Sequence, residues 1–174
     1  NEDLYGTYAE CLSKSEFVSE GMKQAYARDA VMCALNRVGT KAADFRFEDR
    51  KGRIRHLYDI NADFTLLFFS NPGCEACMEI INALKGSPQI SQLISSGSIA
   101  VLNIYIDEDI EAWRSYMPIY PEIWYNGFDP DFIIRTDVLY NVRAIPSLYL
   151  LDKEKTVIMK DAVTENVLNF LNHI

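Results

Sequence analysis

Long apolar runs are absent from this sequence: none approaches the ~18 residues that a membrane-spanning helix needs. An excess of basic residues is absent as well, because 25 Asp and Glu outnumber 17 Lys and Arg and leave a formal net charge of −8. An acidic surface argues against nucleic acid or an anionic membrane as the partner. Internal repeats and low-complexity segments are also missing. These absences indicate a protein without a transmembrane segment and without a nucleic-acid partner.

Metal-binding side chains are scarce, since the chain has only two histidines and four cysteines. The 174 residues are 49% hydrophobic and 24% charged, which is typical of a globular protein with one domain of ordinary size and some additions. No signal peptide is visible, because the chain opens at Asn1 without an apolar stretch. The missing initiator Met indicates a trimmed or processed chain, whose export signal would have been lost.

The most informative stretch surrounds a Cys-x-x-Cys pair. It begins with the apolar run FTLLFF, which is typical of a buried strand, and continues into a Pro72-Gly73 turn signal. Cys74 and Cys77 follow, and a helical pattern extends from Cys74 to Leu84 until the Gly-Ser-Pro sequence at 86–88 ends it. The sequence therefore predicts that Cys74 lies where a buried strand meets a helix N-terminus.

That position favours thiol chemistry. A helix N-terminus offers unpaired N–H groups and a partial positive charge, and both stabilise a thiolate at Cys74. Cys77 lies one helical turn further, so it can close a small ring with Cys74 and resolve a mixed disulfide. The alternatives are half of a zinc site and an inert structural bridge. Zinc needs further ligands, and neither His56 nor His173 stands at a ligand spacing, so we expect no metal.

Residues 1–42 are predicted to form a helical extension packed on the main domain. One amphipathic pattern runs through Leu4, Tyr5, Tyr8, Cys11 and Leu12, and a second runs through Met22, Tyr26, Ala30, Cys33, Ala34 and Val38. Cys11 and Cys33 are accordingly predicted to be buried small hydrophobes. A disulfide between them is the alternative, although a simple hairpin that turns near residues 15–19 would not bring them level.

The segment after the extension changes its period. Residues 43–60 alternate apolar and polar side chains around a turn at 50–53, which predicts a β-hairpin. His56 is predicted to be a half-exposed strand residue and not a ligand.

The second half of the chain continues with a strand at 98–106 and a helix that carries Trp113. An irregular, aromatic-rich segment follows at 117–132; we expect it to pack on the core, and the alternative is a partner-docking surface. Pro146 heads an apolar strand, which fits an edge position or a cis bond. A hairpin and a last helix at 164–174 complete the chain.

This order of elements resembles the thioredoxin superfamily, and more closely the TlpA-like thiol–disulfide oxidoreductases of the bacterial envelope. The narrower likeness is to the thioredoxin-like lipoproteins and secreted proteins of Bacteroides-type bacteria. The motifs that carry the resemblance are Asp44-Phe45, Gly52 and Leu57-x-Asp59; Cys74 and Cys77; the run YNVRAIP at 140–146; and Leu150-Leu151-Asp152. They cover about residues 43–174.

The resemblance implies an α/β fold with a central mixed sheet flanked by helices, preceded by the helical extension and the β-hairpin. Residues 43–174 would form the thioredoxin-like domain, with an insertion at about 107–135. It further implies that Pro146 is cis and lies beside the Cys-x-x-Cys pair, and that Ile145 offers its backbone to a substrate segment in strand-like pairing.

The sequence departs from the family pattern at three positions. No aromatic residue directly precedes Cys74, Phe68 occupies the position of a buried acid, and Ile80 stands where many TlpA-like proteins have a glutamate. The resemblance therefore identifies no proton acceptor for Cys77.

Taken together, we expect a thiol–disulfide oxidoreductase of the protein-disulfide reductase type, with Cys74 as nucleophile and Cys77 as resolving cysteine. Its partners would be protein thiols and disulfides and an upstream electron donor, and no cofactor is expected. We expect a periplasmic or extracytoplasmic location, with a lipid anchor before processing left open. The alternative is a non-catalytic binding module on the same scaffold, in which Cys74 and Cys77 form a structural disulfide.

Overall fold

The computed structural model describes residues 2–174; residue 1, the first of the predicted extension, lies outside the described residues. The α-helices are α1 (Glu2–Ser13), α2 (Glu20–Ala34), α3 (Glu75–Gly86), α4 (Pro88–Ser95), α5 (Ile110–Tyr116), α6 (Ile133–Thr136) and α7 (Thr164–Leu171). Within the described range, no helix is long and apolar enough to cross a membrane.

One mixed sheet of seven strands organises residues 2–174, in the order β2-β1-β5-β4-β3-β6-β7. The strands are β1 (Arg46–Asp49), β2 (Ile54–His56), β3 (Phe64–Phe69), β4 (Ile99–Tyr105), β5 (Tyr125–Phe128), β6 (Ser147–Asp152) and β7 (Val157–Met159). The central strand β3 pairs in parallel with β4 and antiparallel with β6. The predicted α/β class, a mixed sheet flanked by helices, is confirmed, as is the hairpin of β1 and β2.

Both faces of the sheet are covered, which explains the continuous apolar run of β3. Leu66 and Phe68 face a hydrophobic cluster that α3, α4 and α7 complete. Leu67 and Phe69 face a second cluster, which includes aromatic side chains from β1 and β6. All four side chains are fully buried. The core therefore holds β3 rigidly, and with it the point at which the chain leaves the sheet for α3.

The position of β5 corrects the prediction for residues 117–132. That segment was expected to be irregular, yet Tyr125–Phe128 forms a strand between β1 and β4. Its Asn126-Gly127 pair is a turn signal in sequence terms, which hides the strand. Gly127 is required here because a Cβ atom would lie 2.6 Å from the carbonyl oxygen of Glu48 in β1. The aromatic side chains at 120, 124 and 128 are buried, so the expectation that the segment packs on the core is confirmed.

The two helices at the N-terminus form the predicted hairpin, but the side facing inward is not the predicted one. Leu4 is 71% exposed and Cys11 is exposed as well, whereas Ala9 is fully buried. Gly6 lies so close to α2 that a Cβ atom there would be 2.8 Å from the Cβ of Cys33. The helices therefore pack through small residues, and the prediction that Cys11 is buried is wrong.

Cys33 is buried, as predicted, and burial raises the pKa of its thiol. Both Cys11 and Cys33 are free thiols, so the alternative of a second disulfide is not realised in this structure.

Polar contacts connect the hairpin of α1 and α2 to the rest of the chain. The Lys160 ammonium group, on a nearly buried side chain, donates to the carbonyl oxygens of Cys33 (3.1 Å) and Leu35 (2.7 Å). Glu2 lies 3.2 Å from the same ammonium group and 2.9 Å from the guanidinium of Arg143. Glu2 therefore contacts the loop that leads to Pro146.

Candidate active site around Cys74 and Cys77

The chain turns sharply between β3 and α3, as the sequence predicts. Gly73 adopts a left-handed conformation with φ +73°, which glycine tolerates at little cost. Cys74 is the N-cap residue of α3, and its Sγ accepts a hydrogen bond from the backbone N–H of Cys77 at 3.1 Å. The two cysteines are joined by a disulfide, with their Cα atoms 5.2 Å apart. The structure is therefore that of the oxidised form.

The two sulfurs differ in access. Cys74 is half-buried at the protein surface, whereas Cys77 is 1% exposed and packs with Ile80, Ile81 and other residues of the cluster between α3 and the sheet. An external thiol or disulfide can reach the first sulfur without unfolding α3 but not the second. This asymmetry suits an exchange reaction in which one sulfur attacks and the other resolves.

Ile145 and Pro146 lie at the same end of the sheet as the disulfide. Strand β6 begins at Ser147, which pairs with Phe69 at the end of β3. The Ile145–Pro146 peptide bond is cis, and Ile145 contacts the hydrophobic cluster that Cys74 and Cys77 also join. The fold therefore brings the four predicted site residues to the same end of the central strands β3 and β6. Pro146 stands before the first residue of an interior strand and so removes no ladder hydrogen bond from β6.

His56 lies elsewhere. It belongs to β2, the edge strand, which three strands separate from β3. Its side chain is half-exposed, as predicted, and its Nδ1 is 3.1 Å from a carboxylate oxygen of Asp44. No group of three or more His, Cys, Asp or Glu side chains suited to a metal ion occurs in residues 2–174.

A buried polar cluster lies below the turn, and sequence reasoning missed it. The Ser70 hydroxyl donates to Oδ1 of Asn103 at 2.5 Å and lies 3.3 Å from the Tyr120 hydroxyl. Burial raises the pKa of Tyr120, so this hydroxyl stays protonated. Within the part of the chain that the structure describes, Nδ2 of Asn103 has no hydrogen-bond partner. The sequence does contain one signal for this cluster: Asn103 is a single polar residue inside the apolar run of β4, and it pairs with Phe68 in the sheet register.

The residue that pairs with Asn103 in the sheet is apolar. Phe68 pairs with Asn103 and is fully buried among apolar side chains. The neutral polar side chain of Asn103 on β4 thus lies beside a fully buried phenyl ring, and its Oδ1 accepts the hydrogen bond from Ser70. Tyr120 and Cys77 belong to one buried cluster.

Solved structures provide the comparison with known proteins. The chain is similar to a thioredoxin-like protein from Bacteroides caccae, with 42% identity and a TM-score of 0.95 over 99% of this chain. It spans 62% of the length of that protein. It is also similar to the C-terminal domain of an uncharacterized protein from Bacteroides fragilis, with 44% identity and a TM-score of 0.76 over 80% of this chain and 99% of that domain.

A more distant similarity links the chain to a domain of a "possible thiol-disulfide isomerase" from Cytophaga hutchinsonii. The identity is 27% and the TM-score 0.64, over 78% of this chain and 91% of that domain. No protein-family model and no curated protein matches the chain.

Proposed function

Because the chain belongs to the thioredoxin-like proteins, we propose that it is a TlpA-like thiol–disulfide oxidoreductase that exchanges disulfides with protein substrates. The observation that carries this proposal is the asymmetry of the two cysteines: Cys74 caps α3 at the surface, and Cys77 is 1% exposed beneath it. A structural bridge needs no such difference in access.

The reaction starts from the reduced protein. The Cys74 thiolate attacks one sulfur of a substrate disulfide, the second substrate sulfur leaves as a thiolate and takes up a proton, and a mixed disulfide remains. The Cys77 thiol then loses its proton to solvent and attacks Sγ of Cys74, which releases the first substrate sulfur as a thiolate that takes up a proton in turn. Two electrons pass to the substrate, and the protein returns to the disulfide form. A dithiol donor of another protein restores the reduced state.

The backbone at Ile145 and Pro146 is proposed to hold the substrate segment beside Cys74. Both residues are half-buried, so part of their surface remains free for an extended chain. A strand-like segment could pair with the backbone there and bring its cysteine to the exposed sulfur. The chemistry requires no cofactor beyond the two thiols.

We further propose an extracytoplasmic location. The resemblance to envelope proteins supports this location. Since residues 1–42 contact the domain through Lys160 and Glu2, we propose that they fold with residues 43–174 as one unit.

Reduction of insulin disulfides by dithiothreitol, followed as turbidity, tests the proposal. The wild type should accelerate the reaction, and Cys74→Ser should abolish the acceleration. Cys77→Ser should lose turnover, and after reduction and removal of dithiothreitol it should accumulate a mixed disulfide with insulin, visible by mass spectrometry. Cys11→Ser is the matched control, because Cys11 is exposed and lies outside the site.

Two results would contradict the proposal. Full activity of Cys74→Ser would remove Cys74 from the reaction. An inactive wild type whose disulfide resists dithiothreitol would favour the non-catalytic binding module instead.

A further inference from the structure

A groove of about 520 Å³ opens at the same end of the sheet as the disulfide, although neither cysteine lines it. One end is formed by Asn71, in the turn that precedes Cys74, and by Ile145, directly before Pro146. The groove extends from there past α6 to Met32 of helix α2. A cavity of this volume falls within the range of ligand-binding pockets and exceeds the needs of a single cysteine side chain.

One wall of the groove is apolar. It is built by Met32 from α2, by Ile134 and Val138 from α6 and the loop after it, and by Ile145. Val138 is the most unusual of them, because it has a φ of +51°, a conformation that β-branched residues rarely adopt. Its side chain is nevertheless 36% exposed. Sparsely populated backbone conformations of this kind cluster at active sites and ligand-binding sites.

The loop that carries Val138 is held in place from both sides. The backbone N–H groups of Asp137 and Leu139 donate to the carbonyl oxygen of Ile133, at 3.2 and 3.4 Å. From the other side, the Asn36 side-chain amide donates to the carbonyl oxygen of Leu139 at 2.8 Å. Asn36 lies just after α2, so the N-terminal extension fixes the position of this wall as well as contributing Met32.

The lining also includes charged side chains, and these are paired within the protein. The carboxylate of Asp107 accepts a hydrogen bond from the side-chain amide of Asn71 at 2.5 Å and forms an ion pair with Arg135. Arg143, also on the lining, is paired with Glu2. A charged group of a ligand would have to compete with these internal pairs, whereas an uncharged apolar group would displace only water from the apolar wall.

We propose that this groove binds the polypeptide segment next to the reactive cysteine of a substrate and seats an uncharged, bulky apolar side chain against Met32, Ile134 and Val138. The inference rests on the proposed exchange reaction and names its substrate class. A peptide fits the site because Ile145, which directly precedes Pro146, lines the groove, and an extended chain advances ~3.3 Å per residue. We therefore place the apolar side chain a few residues from the substrate cysteine.

Matched peptide disulfides test the proposal. Each peptide carries one cysteine linked to a small chromogenic thiol, with either Leu or Asp at the neighbouring positions, and kcat/KM is measured for the reduced protein. The wild type should prefer the Leu peptides by about tenfold, which corresponds to ~1.4 kcal/mol. Val138→Asp should lose this preference, and Met32→Asp should weaken it. Because Asp tolerates a left-handed backbone, Val138→Asp should fold.

Two controls separate the groove from the reaction. Val163→Asp changes an exposed valine that does not line the groove and should behave as the wild type. A small aromatic disulfide without a peptide should react at the wild-type rate with Val138→Asp, because it does not reach the wall.

Equal rates with Leu and Asp peptides would overturn the proposal, as would a preference that Val138→Asp leaves intact. If Val138→Asp lost as much rate with the small disulfide as with the Leu peptides, the proposal would also be overturned, since the effect would then not be confined to the groove. If the wild type fails to react with the small disulfide at all, the proposed exchange function itself is refuted.

Discussion

Selective alkylation of Cys74 after reduction is the most direct consequence of the geometry at α3. The Cys74 sulfur accepts the backbone N–H of Cys77 at 3.1 Å, and this contact stabilises a thiolate more than a thiol. Hydrogen bonds to charged groups contribute about 1.5–3 kcal/mol. Since ~1.4 kcal/mol is a factor of ten, the thiolate of Cys74 should be favoured by roughly 10- to 150-fold over that of an unassisted thiol.

The expected increase in the alkylation rate of Cys74 is smaller than this increase in thiolate stability, for two reasons. At pH 6 about 0.3% of an ordinary thiol is ionised, so the thiolate fraction of Cys74 can rise by about 10- to 100-fold. A less basic thiolate is also a weaker nucleophile, which reduces its rate by roughly three- to tenfold. The net expectation is that Cys74 reacts about three- to tenfold faster than the exposed Cys11. Cys77, at 1% exposure, should react more slowly than either.

The assay is limited alkylation with iodoacetamide at pH 6 after full reduction. Peptide mass spectrometry then gives the labelled fraction at each cysteine, with Cys11 as the internal standard. Cys77→Ser keeps the backbone N–H that faces the Cys74 sulfur and should preserve the fast phase, whereas Cys74→Ser should abolish it. Labelling of Cys77 before Cys74 would reverse the assignment of roles, and a Cys74 no faster than Cys11 would refute the argument from the helix N-terminus.

Two further predictions concern the fold. Gly127→Ala should lower the free energy of unfolding by about 1–3 kcal/mol and the melting temperature by about 2–12 °C, because the added Cβ atom would lie 2.6 Å from the carbonyl oxygen of Glu48. The control is Gly21→Ala, because a Cβ atom at Gly21 would have no atom within 4 Å. An unchanged melting temperature for Gly127→Ala would contradict the pairing of β1 with β5. Deletion of residues 2–34 should lower the melting temperature and increase the binding of a hydrophobic dye, because Lys160 loses its contacts with Glu2 and with the carbonyl oxygen of Cys33. A deletion variant with the wild-type melting temperature would show that the extension is an independent appendage.

Local sequence patterns were sufficient where short-range geometry decides the outcome. The apolar run of β3, the Pro-Gly turn and the helical pattern after Cys74 were enough to predict the strand, the turn and the helix. Each depends on the conformational preferences of neighbouring residues, so no distant contact was needed. The two cysteines of the site follow from this local placement.

Side-chain patterns were misleading where packing through small residues overrides hydrophobicity. Leu4 and Cys11 suggested the inner face of α1, but the helices approach each other at Gly6 and Ala9. A pattern of large apolar residues shows which sides of a helix are apolar; it does not show which side another helix can approach most closely. Strand β5 was missed for a related reason, because Gly127 serves a close contact with β1 and not a turn.

What the sequence by itself determined is therefore the position of Cys74 and Cys77 between strand and helix, together with the α/β class. Only the tertiary structure decided which polar and apolar groups surround them. Ser70, Asn103 and Tyr120 meet below the turn although they lie on separate elements, and Met32 reaches the same groove as Val138 from the N-terminal extension. The physical reason is that contacts between residues far apart in the chain depend on strand order and helix packing, which the core as a whole sets and no local pattern records.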